Sequence, residues 1–169
     1  DVDAGFQVRL GEAALGAGLR ADLASGVVRS LLVIGQGTAA VAAQAVAGSL
    51  RAELVGSPML VEAVPATELS GFGLSPDMSD VLVVAISQSG TTTDTNRTVD
   101  LVRSRGARVI AIVNRRNSDL VDRSDGVLYT SDGRDVEMSV ASTKAFYAQV
   151  VAGMLLAVAV ADAAGLPGS

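Results

Sequence analysis

The chain has 169 residues, enough for one domain with a sizeable core. Its net charge of -5 and pI near 4.6 exclude bulk attraction to nucleic acid or anionic lipid. It contains no cysteine, which excludes disulfides, thiol catalysis and Cys-ligated zinc. It contains no histidine, so any acid–base step would fall to Asp, Glu, Lys or Tyr.

The first 25 residues carry Leu10, Ala14, Leu15, Leu19 and Leu23 at helical spacing and predict a leading helix. A compact aliphatic run at 31–34 predicts a buried strand, and the Ala- and Val-rich stretch 38–54 a helix. A second strand is expected at 59–64 between Pro58 and Pro65, then a loop with Gly71, Gly73 and Pro76. The clearest strand is 81–86, followed by a helix over 92–104 that Gly106 closes. A strand at 108–113, a short helix at 118–123, a fifth strand at 126–130 and a long helix at 139–164 complete the chain. Strands aliphatic on both faces, alternating with helices, predict an α/β domain with a parallel sheet covered on both sides. No repeat or interior linker divides it.

A mean hydropathy of +0.42 raises the question of a membrane span. The longest uninterrupted apolar run is 150–161, short of the about 20 residues a spanning helix needs, so a core helix or a subunit contact is expected there. No signal-peptide pattern opens the chain. The expected location is cytoplasmic, with neither membrane nor nucleic acid as partner. The sequence starts at Asp1 and stops shortly after the last apolar helix, the pattern expected of a domain from a longer protein.

Ligands of open parallel sheets bind beyond the carboxyl ends of the strands, so the loops there carry the chemistry. Gly35-Gln36-Gly37-Thr38-Ala39-Ala40 satisfies the dinucleotide pattern Gly-x-Gly-x-x-Gly/Ala. Three readings stand: a plain turn into the helix, a loop for a non-nucleotide ligand, or a dinucleotide site. The last wants an acid ending the second strand, and Glu62 lies inside it. In the loop after the best strand, Ser87 to Thr93 holds only hydroxyl, amide or glycine side chains. One helix cap needs one hydroxyl, and here five of the six non-glycine residues carry one. Ser87, Ser89 and Thr92, with the first-turn amides and the helix dipole, make a phosphate cradle that needs no lysine. A third segment carries Glu137, Ser142, Thr143 and Lys144 at the start of the last helix, where capping and solvated roles compete with sugar contacts. Arg115, Arg116, Arg123 and Arg134 are offset by Asp119, Asp122, Asp125, Asp132 and Asp135, a charged rim.

Val84-Ala85-Ile86-Ser87-Gln88-Ser89-Gly90, then Thr92 and Asp94-Thr95, then Val140-Ala141-Ser142-Thr143-Lys144-Ala145-Phe146, resemble the sugar isomerase (SIS) domain. The nearest likeness is to the first such domain of the glutamine–fructose-6-phosphate aminotransferase (glucosamine-6-phosphate synthase) family. The likeness covers 31–156 and implies a three-layer α/β/α fold with a five-stranded parallel sheet, order 2-1-3-4-5, as one SIS domain over 1–169 of a longer two-SIS-domain protein. It implies that Ser87, Gln88, Ser89 and Thr92 hold the phosphate of a hexose 6-phosphate, while Thr38, the Val140 backbone and Ser142 line the sugar. Ala39 stands where that family has serine, and Thr91 where it has glutamate. The isomerising glutamate, ring-opening histidine and terminal lysine of the family belong to the second SIS domain and tail, and its glutaminase cysteine to an N-terminal domain. The chain is therefore expected to carry the cradle without the machinery: catalytic residues unknown, no cofactor, no metal. The parent would turn a ketose 6-phosphate into an amino sugar 6-phosphate. The alternatives are a sugar-phosphate sensor and a fructosamine-phosphate deglycase. The expected partner is a second SIS domain or a second copy in a homodimer.

Overall fold

A computed structural model describes residues 10–131 and 143–166. Aliphatic side chains on alternate faces of the same strands are what divide the core in two. Along β1 (Ser30–Gly35), β3 (Val81–Ser87) and β4 (Arg108–Val113), residues such as Leu31, Val33, Leu82, Val84, Ile86, Ile110 and Ile112 face one way. They meet α1 (Ala17–Ala24), α2 (Thr38–Glu53) and α6 (Thr143–Ala163). Ile34, Val83, Ala85, Val109 and Ala111 face the other way, against α4 (Thr93–Arg103) and α5 (Asp119–Asp122). β2 (Leu60–Pro65) and β5 (Gly126–Tyr129) close the edges, and all five strands run parallel in the order β2-β1-β3-β4-β5. This is the three-layer α/β/α arrangement expected. Strand limits, and those of α2, α4 and α5, fall within one residue of the sequence reading.

Three expectations are corrected. The leading helix is confined to α1, because residues 12–15 form turns and the Ala13 carbonyl accepts the Val127 amide of β5 at 2.8 Å. β2 is not covered on both faces: it lies at the edge, and Leu60 is 68% exposed. The loop after β2 contains α3 (Ala66–Glu68) and a π-helical turn (Leu69–Gly73), docked by the Thr98 hydroxyl donating to the Ala66 carbonyl at 2.9 Å.

The start expected for the last helix lies outside the described residues. From Thr143 it runs 21 residues, with a mean hydropathy of 1.7 over its most apolar 18. By length and composition it is sufficient to cross a membrane, a test core helices of soluble proteins also pass, and it exceeds the uninterrupted run counted in the sequence. Here Ala145, Gln149, Ala152, Gly153, Leu156, Ala157, Val160 and Ala161 are buried on its inner face. Small residues let it approach α2 closely. A Cβ at Gly153 would lie within 2.7 Å of Val46 Cγ1. Helix propensity alone favours Gly→Ala by about 1 kcal/mol, but overpacking costs about 1–3 kcal/mol. Gly153→Ala is expected to lower stability, read as a reduced urea midpoint at unchanged slope.

Candidate sugar-phosphate site

The crevice arises at β1, which pairs with β2 on one side and β3 on the other. The helices following β1 and β3 cover opposite faces of the sheet, so the loops leaving these two adjacent strands diverge.

The loop after β3 is fixed by its own polar groups. Ser87 is buried, and its Oγ accepts the Gly90 amide at 3.0 Å. Ser89 Oγ accepts both the amide and the hydroxyl of Thr91, at 3.2 and 3.0 Å. Each serine oxygen is thus used as an acceptor, and accepting leaves its own O–H available as a donor. The Gln88 carbonyl takes the amides of Asn114 and Arg115, both at 3.2 Å. At the start of α4, Thr92 occupies the N-cap position but its side chain makes no capping bond; Thr92 Oγ1 lies 3.4 Å from Ser87 Oγ instead. The first-turn amides of an 11-residue helix therefore keep their orphan donors beside two hydroxyls. An ordinary cap would have used the hydroxyl on the helix.

Two residues beneath the loop were not singled out in the sequence. Gly90 has φ +65°, and its carbonyl accepts Asn96 Nδ2 and the Leu120 amide, each at 3.1 Å. Ser118, the N-cap of α5, packs directly against the Gly90 Cα; an added Cβ would come within 2.6 Å of Ser118 Cβ. Both are buried polar residues, and a buried Asn inside a helix is the available sequence signal.

In the loop after β1, Gly35 is required because a Cβ there would lie 2.6 Å from the Ala39 carbonyl carbon. Thr38 opens α2 and is exposed, and Thr67 donates to Gln36 Oε1 at 3.5 Å. The structure places Ser87, Gln88, Ser89 and Thr92 on one loop and Thr38 on its neighbour. Val140 and Ser142, with Glu137, lie outside the described residues, and Lys144 is in the first turn of α6. Glu62 pairs with Leu32 in mid-strand, three residues before the Gly35–Pro65 pair. At about 3.3 Å per residue it sits about 10 Å from the strand end, where a ribose-binding acid belongs. The basic residues form a rim, with Arg103–Asp125 and Arg123–Asp100 ion pairs at 2.9 Å and Arg116 stacked 4.3 Å over the Tyr129 ring.

Fold and loop together define a doubly wound α/β domain with a hydroxyl-rich loop at the carboxyl end of its central strand. Residues 27–159 match the SIS domain family, and the chain belongs to it. Glutamine–fructose-6-phosphate aminotransferase (isomerizing) of Mycobacterium leprae is 50% identical over 84 residues, half of this chain. The Streptomyces coelicolor enzyme of that name is 54% identical over 76. The chain spans only 13% and 12% of these curated relatives. The C-terminal domain of glucosamine-fructose-6-phosphate aminotransferase from Francisella tularensis superposes with a TM-score of 0.75 at 26% identity, over 92% of this chain and 42% of that one. Glucosamine-6-phosphate deaminase from Thermotoga maritima shares the fold, with a TM-score of 0.68 at 23% identity over 84% of this chain and 42% of its own.

Position 90 tests the contact between Gly90 and Ser118. Gly90→Ala combines left-handed strain with the Ser118 clash and should cost about 2–4 kcal/mol. Adding Ser118→Gly should return part of that loss, so urea denaturation of both variants is expected to be non-additive.

Proposed function

We propose that this domain binds the phosphate of a hexose 6-phosphate in the 87–92 loop and serves as the sugar-phosphate-binding part of an enzyme like glucosamine-6-phosphate synthase. In this reading Ser87, Ser89 and Thr92 donate hydroxyl protons and Gln88 its amide. Thr38, the Val140 backbone and Ser142 contact the sugar. The observation that carries it is the α4 start: its N-cap hydroxyl makes no bond to the helix and lies near Ser87, leaving first-turn amides and two hydroxyls close together. The parent is a cytoplasmic protein with a second SIS domain. Its ketose 6-phosphate to amino sugar 6-phosphate chemistry uses groups outside this chain, which has neither histidine nor cysteine.

A second reading, a sensor that binds without chemistry, draws support from Thr91. Its hydroxyl is spent on Ser89, and it supplies no acid to the loop.

Saturating fructose 6-phosphate or glucosamine 6-phosphate, at about 100 times Kd, is expected to raise Tm by about 5–10 °C. Ser89→Ala and Thr92→Val should each reduce the shift while leaving the unliganded Tm near its starting value. Ser87→Ala should abolish it and also loosen the loop, since the Gly90 amide loses its acceptor. A shift with NAD and none with any hexose phosphate overturns the proposal.

A further inference from the structure

Asn96 stands where neither helix propensity nor packing favours an amide. It lies inside α4, its own amide donating to the carbonyl of the N-cap Thr92 at 3.0 Å, and it is only 7% exposed. Asn is a poorer helix former than Leu, and a buried side-chain amide wants partners at both ends. Here one end has a partner. Asn96 Nδ2 donates to the Gly90 carbonyl at 3.1 Å, whereas Oδ1 is buried with no partner among the described residues. A leucine would fill the same place with no polar group to satisfy.

The carbonyl that Asn96 meets does not depend on it for a partner. Gly90 O already accepts the Leu120 amide at 3.1 Å. What the second donor adds is direction: one donor from α4 and one from α5 fix the plane of the 90–91 peptide. In a trans peptide the N–H opposes the C=O, so holding Gly90 O against the helices turns Thr91 N–H away from them. There it donates to Ser89 Oγ at 3.2 Å, joined by the Thr91 hydroxyl at 3.0 Å. Gly90 has φ +65°, a conformation that glycine enters and leaves with little steric penalty. A chain of hydrogen bonds thus runs from Asn96 through the 90–91 peptide to the Ser89 oxygen.

We propose that Asn96 is a positioning residue for the 87–92 loop. Acting through the Gly90 carbonyl, it orients the 90–91 peptide, and with it Ser89, for an incoming phosphate. The inference rests on the reading of this loop as the phosphate site, and in it Asn96 does not touch the ligand. Its half-paired amide is retained for orientation and not for stability.

Calorimetric titration of the 169-residue chain with fructose 6-phosphate gives the reference Kd. Asn96→Leu should raise it about five- to tenfold without lowering the urea midpoint. Asn96→Ala should raise it by the same factor, although the cavity it leaves lowers the midpoint. In nitrogen-15 spectra of the unliganded chain, the Thr91 amide proton should exchange with solvent faster in both variants. An unchanged Kd in both, or an affinity loss that follows the fall in urea midpoint from one variant to the other, overturns the inference. If the unsubstituted chain binds no hexose phosphate, the reading of the loop fails instead, and the Thr91 amide then decides the hydrogen-bond chain by itself: an unchanged exchange rate in both variants overturns it.

Discussion

Everything at the site depends on two helices leaving adjacent parallel strands toward opposite faces of the sheet. α2 follows β1 and α4 follows β3, yet β1 and β3 are hydrogen-bonded neighbours, from Ser30–Val81 to Ile34–Ala85. Their loops must therefore part, and the parting is the only place where backbone from both strands can face one ligand. The aliphatic alternation that splits the core into two layers is thus also what opens the crevice. A one-residue register slip in β3 would exchange its two core faces and carry Ser87 to the wrong side. Here the packing of Val and Ile positions the chemistry.

Rigidity at the crevice comes from an unusual economy of polar groups. Gly90 donates its amide to Ser87 and presents its carbonyl to Asn96 and Leu120, so one residue ties the loop to β3, α4 and α5. None of these bonds uses the hydroxyl protons of Ser87 and Ser89. In the proposed reading a phosphate meets backbone amides already held in place, so little ordering entropy opposes binding. A lysine in this loop would add charge but also rotamer freedom; dipoles held by a folded peptide avoid that cost.

How much of this was legible depended on whether a contact is local. β1, β3 and β4 are continuous aliphatic runs, and their limits were readable because burial on both faces leaves no ambiguity of period. The hydroxyl-rich stretch 87–93 was readable for the same reason: its donors are consecutive in the chain. What joins Gly90 to Ser118 was not, because it links two crossovers through packing that no window of sequence contains. Leu10, Ala14, Leu15, Leu19 and Leu23 carry a helical period, yet the segment breaks because β5 needs a partner for Val127, a tertiary demand that outweighs local pattern. The exposure of β2 is not legible in its own residues because position within a sheet is set by strand order, and Leu60 is exposed at the edge.

The same distinction between donors and titratable groups bears on function. The loop 87–93 contains no side chain that gains or loses a proton near neutral pH, and Asp94, the first acid beyond it, is exposed on the outer side of α4. Such a cradle stabilises an anion without moving a proton. Isomerisation of a sugar requires transfer of a proton between carbons, hence a base whose pKa lies near the working pH. Arg103 and Arg123 are paired with aspartates, Arg116 is stacked on Tyr129, and a guanidinium stays protonated near neutral pH, so these residues are poor candidates for that role. The physical division is therefore between holding a substrate and transforming it: in the proposed reading the residues of this loop serve the first by fixed dipoles, and fixed dipoles are unsuited to the second.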